Sequence, residues 1–301
     1  MILFALPAHE PLAVALHDLA GFERGRFAVS RFANQELHAE LETDPAGQVC
    51  VVLGAVAPPD EHLLATLLLC HTLKKEGARS VTALLPYLGY ARHDKAEPRK
   101  SRATAWLGAL VKSSGVDEVV AVDVHSSLVH QLFPIPVRSL SPAELFAREL
   151  STLPLAEPTV VAPDAGARER CEAVRQAASI GRPVAHFAKE RTREGIKHSV
   201  LHGAVGRGAI LVDDILDTGG TLVAACEALR RAGAEEMVVM VTHGLFTGRA
   251  WERLWSLGVC RIYCTDTTPL PAGLGAAPVV ALSVAPLLAE CLQPATKDGE
   301  S

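Results

Sequence analysis

Three features are scarce or missing in this sequence, and each absence excludes a class of protein. Aromatic residues make up only 5% of the 301 residues, and a net charge of −5 leaves no excess of basic residues for attraction to nucleic acid or anionic membranes. No apolar run approaches the length that crosses a membrane, and the first residues lack the basic flank of a secretory signal. The sequence therefore predicts a cytoplasmic protein with no nucleic-acid partner and no membrane partner.

Closely paired cysteines are also missing. The seven cysteines stand at positions 50, 70, 171, 226, 260, 264 and 291, an odd number without the close pairs that bind zinc. We therefore expect reduced thiols in the core, with neither a disulfide framework nor a zinc site.

Apolar runs alternate with helical periods along the chain, whose length and 49% hydrophobic content are sufficient for two cores. Strands are expected at residues 49–53, 81–85, 119–122, 160–162, 184–187, 209–212, 237–242 and 261–264, and helices at about 61–76, 103–113, 167–178, 221–232 and 249–257. This alternation predicts an α/β protein with two doubly wound, largely parallel sheets. Pro134, Pro136 and Pro142 mark the join, which gives domains at 1–141 and 142–292 and a polar tail at 293–301.

The most informative stretch joins a buried strand to a helix at residues 209–221 and reads Ala-Ile-Leu-Val-Asp-Asp-Ile-Leu-Asp-Thr-Gly-Gly-Thr. Backbone N–H groups at the start of a helix bind anions, and two glycines allow a ligand to approach closely. The adjacent carboxylates accept hydrogen bonds, so they suit the hydroxyls of a sugar attached to that anion. The stretch therefore predicts a binding loop for ribose 5-phosphate. Its expected ligand-binding residues are Asp213, Asp214, Asp217, Thr218, Gly219, Gly220 and Thr221.

A simpler interpretation of this loop is a turn whose Asp and Thr side chains only cap the helix. Capping needs one such residue, whereas the nine positions from 213 to 221 contain three Asp, two Thr and two Gly. The run resembles the phosphoribosyl-diphosphate signature of type I phosphoribosyltransferases and of ribose-phosphate diphosphokinases, the synthetases of phosphoribosyl diphosphate (PRPP). By itself it does not separate these two classes.

Further motifs, in the same order as in the ribose-phosphate diphosphokinases, extend this resemblance over residues 31–292. They read Arg-Phe-Ala-Asn-Gln-Glu at 31–36, Glu-His-Leu-Leu at 61–64, Pro-Tyr-Leu-Gly-Tyr-Ala-Arg-His-Asp-Lys at 86–95, Val-Asp-Val-His-Ser at 122–126, Pro-Asp-Ala-Gly at 163–166, Ala-Lys-Glu-Arg at 188–191 and Thr-His-Gly-Leu-Phe-Thr-Gly at 242–248. The resemblance implies two domains of the type I phosphoribosyltransferase-like fold, with the nucleotide bound on the N-terminal side. It also implies transfer of the β,γ-diphosphoryl group of ATP to the 1-hydroxyl of ribose 5-phosphate, which gives PRPP and AMP.

The same resemblance implies roles for individual residues. Lys189 and Arg191 would be catalytic and close over the transferred diphosphate, although the composition of residues 189–198 also fits a solvated loop. Mg²⁺ would be the cofactor, held at His125 and Asp164, and for His125 alone a hydrogen-bonded structural histidine is an alternative. Residues 32–36 would reach the ATP of a neighbouring subunit, which implies a homo-oligomer, either a dimer or a hexamer. The implied ATP-binding residues are Phe32, Asn34, Glu36, Arg92 and His93.

The chain also departs from the family pattern. His93 stands where the family usually has Gln, and Ala167 stands where it has a second Gly. Residues 96–106 differ so much that either Arg99 or Arg102 could take the place of the family's arginine. Two other functions stay open: a phosphoribosyltransferase that consumes PRPP, and a non-catalytic regulatory subunit of a PRPP synthetase. The first class is usually single-domain, and the second has no physical need for Lys189 and Arg191.

Overall fold

The apolar runs become the central strands of two separate sheets in this computed structural model, which describes residues 1–191, 197–274 and 277–293. Within those ranges it describes all side chains except those of residues 189–191, 197 and 198. The chain divides into two units. The first contains Met1–Leu140 and the chain from Ser283 onward, and the second is the continuous stretch Ser141–Leu282.

The first unit contains a six-stranded parallel sheet, with the order β2-β1-β5-β6-β7-β8, and a separate antiparallel hairpin of β3 and β4. The strands are β1 (Ile2–Ala5), β2 (Glu23–Arg24), β3 (Phe27–Arg31), β4 (Leu37–Leu41), β5 (Val49–Leu53), β6 (Ser80–Leu84), β7 (Glu118–Val122) and β8 (Val137–Leu140). The helices are α1 (Glu10–Ala20), α2 (Glu61–Lys75), α3 (Ala103–Ser113) and α4 (Val129–Leu132).

The second unit contains a seven-stranded sheet with the order β11-β10-β9-β12-β13-β14-β15, in which only the pair β10 and β11 is antiparallel. The strands are β9 (Thr159–Ala162), β10 (Ala185–Arg191), β11 (Lys197–His202), β12 (Gly208–Leu216), β13 (Glu236–Gly244), β14 (Val259–Thr265) and β15 (Val279–Leu282). The helices are α5 (Ala143–Leu150), α6 (Arg168–Ala177), α7 (Gly220–Arg231) and α8 (Arg253–Ser256). A further helix, α9 (Ala285–Leu292), follows the second unit.

Helix α9 belongs to the first unit, so the expected second domain of residues 142–292 is wrong at its C-terminal end. The helix packs against α1, and the Arg138 side chain at β8 donates a hydrogen bond to the Cys291 carbonyl at 3.2 Å. Residues 285, 288, 289 and 292 of α9 are buried by this packing. The second unit begins at Ser141, one residue before the start expected for the second domain.

Strand β12 shows why the second unit needs helices on both faces of its sheet. Ala209 and Leu211 pack in one hydrophobic cluster with side chains of α7, and Ile210 and Val212 pack in another with side chains of α5 and α6. Successive side chains of a strand point to opposite faces, so a continuous apolar run requires two covered faces. This arrangement confirms the doubly wound α/β prediction.

Several elements differ from the prediction. The strand expected at 209–212 continues to Leu216, and the stretch 249–257 contains a short 3-10 turn at 250–252 followed by α8 instead of one helix. The polar stretch from 189 is not a loop at its start, because Lys189 and Arg191 are backbone members of β10. Residues 192–196 and the tail from 294 lie outside the described residues.

The thiols are free, and five of the seven cysteines are buried. Cys260 is exposed and Cys291 is only half-buried, so the expectation of a core position is wrong for these two. Within the ranges that the structure describes, no helix is both long and apolar enough to cross a membrane.

His9 is a buried titratable group in the first unit. It lies in the turn between β1 and α1, its N–H donates to the Leu6 carbonyl at 3.0 Å, and only 5% of the residue is exposed. Burial, together with the charge of His62, lowers the pKa of His9 from 6.5 to about 4. The unfolded chain therefore binds a proton at His9 at pH values where the folded chain does not.

We expect the lowered pKa of His9 to make the folded state more dependent on pH. The contribution of His9 to the free energy of unfolding should be fully present above pH 6.5 and should be lost as the pH falls towards 4. The free energy of unfolding should decrease by about 2 kcal/mol between pH 7 and pH 5 through this residue alone. Urea unfolding followed by circular dichroism at the two pH values measures the loss. The His9→Gln variant takes up no proton at this position, so its loss should be smaller. Equal losses in the two proteins would show that His9 is not the responsible group.

Candidate functional site

The candidate site lies at one edge of the sheet in the second unit. Strands β10, β9, β12 and β13 are neighbours, and because β9, β10, β12 and β13 run parallel, their carboxyl ends lie at the same edge. Asp164 follows β9, Asp213 and Asp214 lie near the end of β12, and residues 217–221 continue from it. The structure thus brings together all the residues predicted to bind ribose 5-phosphate. The open edge at strand carboxyl ends is where doubly wound folds bind ligands.

Only three residues separate β12 from α7, and they form the proposed phosphate loop, residues 217–219. Gly219 has a left-handed φ of +84°, which glycine adopts without strain. Thr218, Gly220 and Thr221 are exposed. The first N–H groups of α7 have no intrahelical partner, so the start of this helix offers donors for an anion.

The capping interpretation of this loop can be tested directly. Gly219 occupies the position before the first helical residue, and within the described part of the chain no side chain caps the N-terminus of α7. Glycine has no side chain, so the residue at this position does not cap α7 in the way that an Asp or Thr would.

Asp213 and Asp214 form a buried acidic pair. They are 9% and 7% exposed, and the Asp214 N–H donates to Oδ1 of Asp213 at 3.0 Å. Burial and the neighbouring charge of Asp214 raise the pKa of Asp213 well above its usual range. A carboxyl group that keeps its proton donates one hydrogen bond as well as accepting others. The hydrogen bond between the two side chains also raises this pKa, so the retained proton is used within the pair and the remaining oxygen atoms are acceptors for a sugar diol.

Arg170 of α6 is a site residue that sequence analysis missed. The positive charge of Arg170 lowers the pKa of Asp213 and so acts against the burial and the charge of Asp214, which raise it. The charge of Asp164 also raises this pKa. Arg170 thus lies close to the acidic pair in space although it is far from it in sequence. The available signal was the Arg-Glu-Arg sequence at 168–170, which is separated from the Pro-Asp-Ala-Gly motif by Ala167 alone.

Asp164 lies in the turn between β9 and α6. Its Oδ1 accepts a hydrogen bond from the Ala167 N–H at 3.0 Å, which fixes the carboxylate at the start of the helix, and the residue is exposed. Ala167 is 1% exposed, so the position where the family has a second glycine holds a packed methyl group.

A buried polar network lies beside the end of β13, and sequence analysis missed it as well. The Thr265 hydroxyl donates to the Thr242 carbonyl at 2.7 Å, and Nδ1 of His243 lies 2.8 Å from Oγ1 of Thr267. An unsatisfied buried polar group costs about 1–3 kcal/mol, so this network strongly favours one conformation of the turn after β13. Three threonines at 265, 267 and 268, at the end of a buried strand and directly after it, were the available signal.

Lys189 and Arg191 lie at the end of β10 in an antiparallel hairpin. Their backbones pair with Ser199 and Lys197 of β11. In the described part of this stretch, at residues 189–191 and 197–198, a backbone ladder is present where composition suggested a solvated loop, because backbone pairing does not require an apolar alternation. The side chains of both residues lie outside the described residues.

Phe32, Asn34 and Glu36 lie in the turn of the β3–β4 hairpin in the first unit. All three are exposed, and Phe32 is 52% exposed with its ring centroid 4.9 Å from that of His38. The turn is well ordered by its own hydrogen bonds, since the Glu36 N–H donates to Oδ1 of Asn34 at 3.2 Å. An exposed aromatic ring on a fixed turn is available for contact with another molecule.

Arg92 and His93 lie in the exposed loop after β6 in the same unit. Both this loop and the β3–β4 hairpin contact the start of α2. The hydroxyl of Tyr90, in the loop, donates a hydrogen bond to Asp60, and Arg31, in the hairpin, forms a 2.5 Å ion pair with the adjacent Glu61. Arg102 donates to the Asp94 carbonyl at 2.8 Å, so it has a structural contact within this loop.

His125 lies in the loop after β7 and is exposed. The backbone beside it is held by Ser139, whose Oγ accepts a hydrogen bond from the Val124 N–H at 3.1 Å. Among the described residues, no group of three or more His, Cys, Asp or Glu side chains could hold a metal ion.

Comparison with known proteins decides between the classes that the loop motif left open. A family profile described as the N-terminal domain of ribose phosphate pyrophosphokinase matches residues 1–115, and one described as the phosphoribosyl transferase domain matches residues 130–255. The ribose-phosphate pyrophosphokinase of Bacillus caldolyticus is 33% identical over 96% of this chain and 93% of its own. The chain belongs to the ribose-phosphate pyrophosphokinase family.

Two other similar proteins agree with this membership. The ribose-phosphate pyrophosphokinase of Streptomyces avermitilis is 33% identical over 99% of this chain and 94% of its own. The crystal structure of phosphoribosylpyrophosphate synthetase from Mycobacterium smegmatis matches with a TM-score of 0.87 and 29% identity over 96% of both chains.

Membership in the pyrophosphokinase family confirms the predicted family, the phosphoribosyltransferase-like α/β fold and the enzyme class. Pyrophosphokinase is the older name for diphosphokinase, so the chain is a transferase of PRPP synthesis. The family uses ATP and ribose 5-phosphate and depends on a metal ion. Similarity over nearly the whole length of these relatives argues against a single-domain phosphoribosyltransferase.

Proposed function

We propose that the residues described above bind the two substrates through different elements and carry out one diphosphoryl transfer. The 1-hydroxyl oxygen of ribose 5-phosphate attacks the β-phosphorus of ATP and forms a new P–O bond. The bond from that phosphorus to the oxygen shared with the α-phosphate breaks, AMP leaves and the hydroxyl proton is released. Such a transfer requires mainly positioning and charge neutralisation.

The observation that carries this proposal is the short distance in sequence and structure between the phosphate loop and the buried acidic pair. Asp213 and Asp214 are members of β12, and the helix that follows begins at Gly220. Backbone N–H groups of α7 would hold the 5-phosphate, and the Asp213 and Asp214 carboxyls would bind the ring hydroxyls. Asp217, Thr218 and Thr221 add polar groups to the phosphate side of the loop.

The first unit would provide the nucleotide side of the reaction. Arg92, and His93 in place of the family's glutamine, would contact the ATP phosphates, because an exposed guanidinium suits phosphate oxygens. Phe32, Asn34 and Glu36 would enclose the adenine and ribose of ATP bound by a neighbouring copy in a dimer or hexamer. The 52% exposure of Phe32 on its own chain supports this role.

Mg²⁺ fits the oxygen donor that Asp164 presents, and His125 is the second candidate. Mg²⁺ usually binds through one or two carboxylates together with substrate phosphates, so a site of this kind needs no cluster of protein ligands. The Ala167 N–H donates a hydrogen bond to Oδ1 of Asp164. This bond fixes the carboxylate at the edge of the sheet. When bound, the ion would neutralise charge on the ATP phosphates.

Lys189 and Arg191 would neutralise the charge that develops on the transferred diphosphoryl group. Their positions at the end of β10 put both backbones in the strand next to β9, which precedes Asp164. Cations that meet the diphosphoryl group mainly in the transition state increase the rate more than they increase substrate affinity.

The overall reaction is tested by incubating the purified protein with ribose 5-phosphate, Mg²⁺ and ATP. We expect AMP and PRPP in equal amounts, and no products when ribose 5-phosphate is omitted. Formation of ADP instead of AMP would contradict transfer of a diphosphoryl group. An inactive protein that still binds both substrates would identify the non-catalytic subunit instead.

The Lys189→Ala variant tests the catalytic role of Lys189 in the same assay. We expect kcat to fall by about 10²–10⁴-fold with either KM changed only several-fold, which is the signature of an interaction made in the transition state. Lys75→Ala, which removes an exposed cation of α2, should behave like the wild type. A near-normal single-turnover rate of AMP formation by folded Lys189→Ala protein would refute the catalytic role.

Asp214→Asn should raise the KM for ribose 5-phosphate and leave the KM for ATP nearly unchanged. Loss of charge-assisted hydrogen bonds to a sugar hydroxyl costs about 1.5–3 kcal/mol, which corresponds to roughly 10–100-fold in KM. The control is Asp18→Asn, the same change on the exposed surface of α1. A raised KM for ATP with an unchanged KM for ribose 5-phosphate would remove Asp214 from the sugar site.

Sharing of the nucleotide site between copies is tested by complementation. Phe32→Ala and Lys189→Ala proteins should each be nearly inactive, because each lacks one part of every site. After subunit exchange, random mixing should give about a quarter of the sites both intact parts and restore activity to that level. Native mass spectrometry verifies the exchange. Activity that stays at the average of the two separate variants would show that Phe32 acts within its own chain.

A further inference from the structure

Trp251 lies directly behind the phosphate loop. A Cβ atom placed on Gly219 would lie 2.6 Å from Cβ and 2.7 Å from Cα of Trp251, distances that real Cβ atoms do not show. The loop backbone is therefore pressed against this tryptophan. Gly219 is needed there for two reasons, the left-handed φ of +84° and the lack of space.

The indole also contacts the turn that holds the other side of the loop. The Trp251 Nε1–H donates to the Gly248 carbonyl at 3.1 Å, and the Phe246 ring packs edge-on against the indole with centroids 4.9 Å apart. In the same turn, the Thr247 N–H donates to the Asp217 carbonyl at 3.0 Å and the Phe246 N–H donates to the Leu216 carbonyl at 3.0 Å. Trp251 thus meets the loop at Gly219 through its Cα and Cβ atoms, and its indole holds the turn that hydrogen-bonds the beginning of the loop.

Trp251 and Phe246 are only 5% and 6% exposed, so they belong to the packed interior and do not themselves face a substrate. Interiors are close-packed, and a change of shape at one side chain therefore moves its neighbours. The neighbours here are the backbone groups that precede the first free N–H groups of α7.

We propose that Trp251 is a positioning residue for the phosphate loop, residues 217–219, and that it keeps the N–H groups at the start of α7 aimed at the 5-phosphate of ribose 5-phosphate. This inference rests on the proposed role of that loop. A loop held in its binding conformation loses little entropy when the ligand arrives, so removal of the support weakens binding of that ligand. The ATP side of the reaction lies on other elements and does not use this support.

The test compares Trp251→Leu and Trp251→Phe with Trp255→Phe. Leucine keeps an apolar side chain but removes both the edge-on ring contact and the indole N–H, whereas phenylalanine keeps a smaller ring and removes the N–H. Both variants keep the Cα and Cβ atoms that meet Gly219, so the test examines the contacts of the indole with the turn at 246–248. Trp255 is a matched control because its ring lies 6.3 Å from that of Trp251, in the same cluster, whereas the three atoms nearest to a Cβ on Gly219 all belong to Trp251. Titration calorimetry with ribose 5-phosphate gives the dissociation constant without turnover, and steady-state assays give kcat and the KM for ATP.

We expect the dissociation constant for ribose 5-phosphate to rise by about tenfold or more in Trp251→Leu and by several-fold in Trp251→Phe, because the support is lost in steps. The KM for ATP should stay within about twofold of wild type, and Trp255→Phe should bind ribose 5-phosphate normally. A support that acts only on general stability would change both substrates alike, so parallel losses would overturn the proposal. If Trp251→Leu does not fold, Trp251→Phe decides, and wild-type affinity in that variant also overturns it.

The same titrations separate this inference from the proposed function. A wild-type protein that does not bind ribose 5-phosphate contradicts the role of the loop itself. A wild-type protein that binds it, with variants that bind it equally well, contradicts only the role of Trp251.

Discussion

The burial of strand β12 on both faces is the constraint on which the candidate site depends. Helices cover the sheet on either side, so the strand carries Asp213 and Asp214 into a region poor in water. Two carboxyl groups interact more strongly there than on the surface, and one of them retains its proton to higher pH. The Leu216 carbonyl, at the end of the same strand, accepts hydrogen bonds from the turn after β13. The position of the phosphate loop is thus determined by the sheet and does not depend on the overall charge of −5.

Much of the fold could be predicted because buried parallel strands and amphipathic helices have simple periods. The runs at 49–53 and 103–113 coincide with β5 and α3. The end of β12 could not be predicted, because aspartates are rare within strands, and only pairing with β13 extends the strand through Asp213 and Ile215. The β10–β11 hairpin was equally hidden, since its ladder is made by the backbone of a polar stretch.

For the candidate site, the sequence predicted the kind of ligand but did not predict which distant residues lie close to the binding loop. Residue types alone indicated a phosphate beside a sugar, because donors and acceptors follow each other within one short stretch at 213–221. Arg170 and Trp251 come from other segments, and no local pattern shows that their side chains reach that stretch. The raised pKa of Asp213 is also a property of the folded chain, since it arises from burial and from neighbours brought together by the sheet.

The position of α9 has a consequence for how the chain is made. The second unit is one continuous segment, whereas the first is built from two segments separated by Ser141–Leu282. During synthesis the second unit can finish folding as soon as its own residues have emerged, because domains fold as units. The first unit starts earlier but keeps one face of α1 uncovered until α9 arrives. The N-terminal unit is therefore completed after the second unit, and the apolar face of α1 stays accessible to chaperones until α9 has been synthesised.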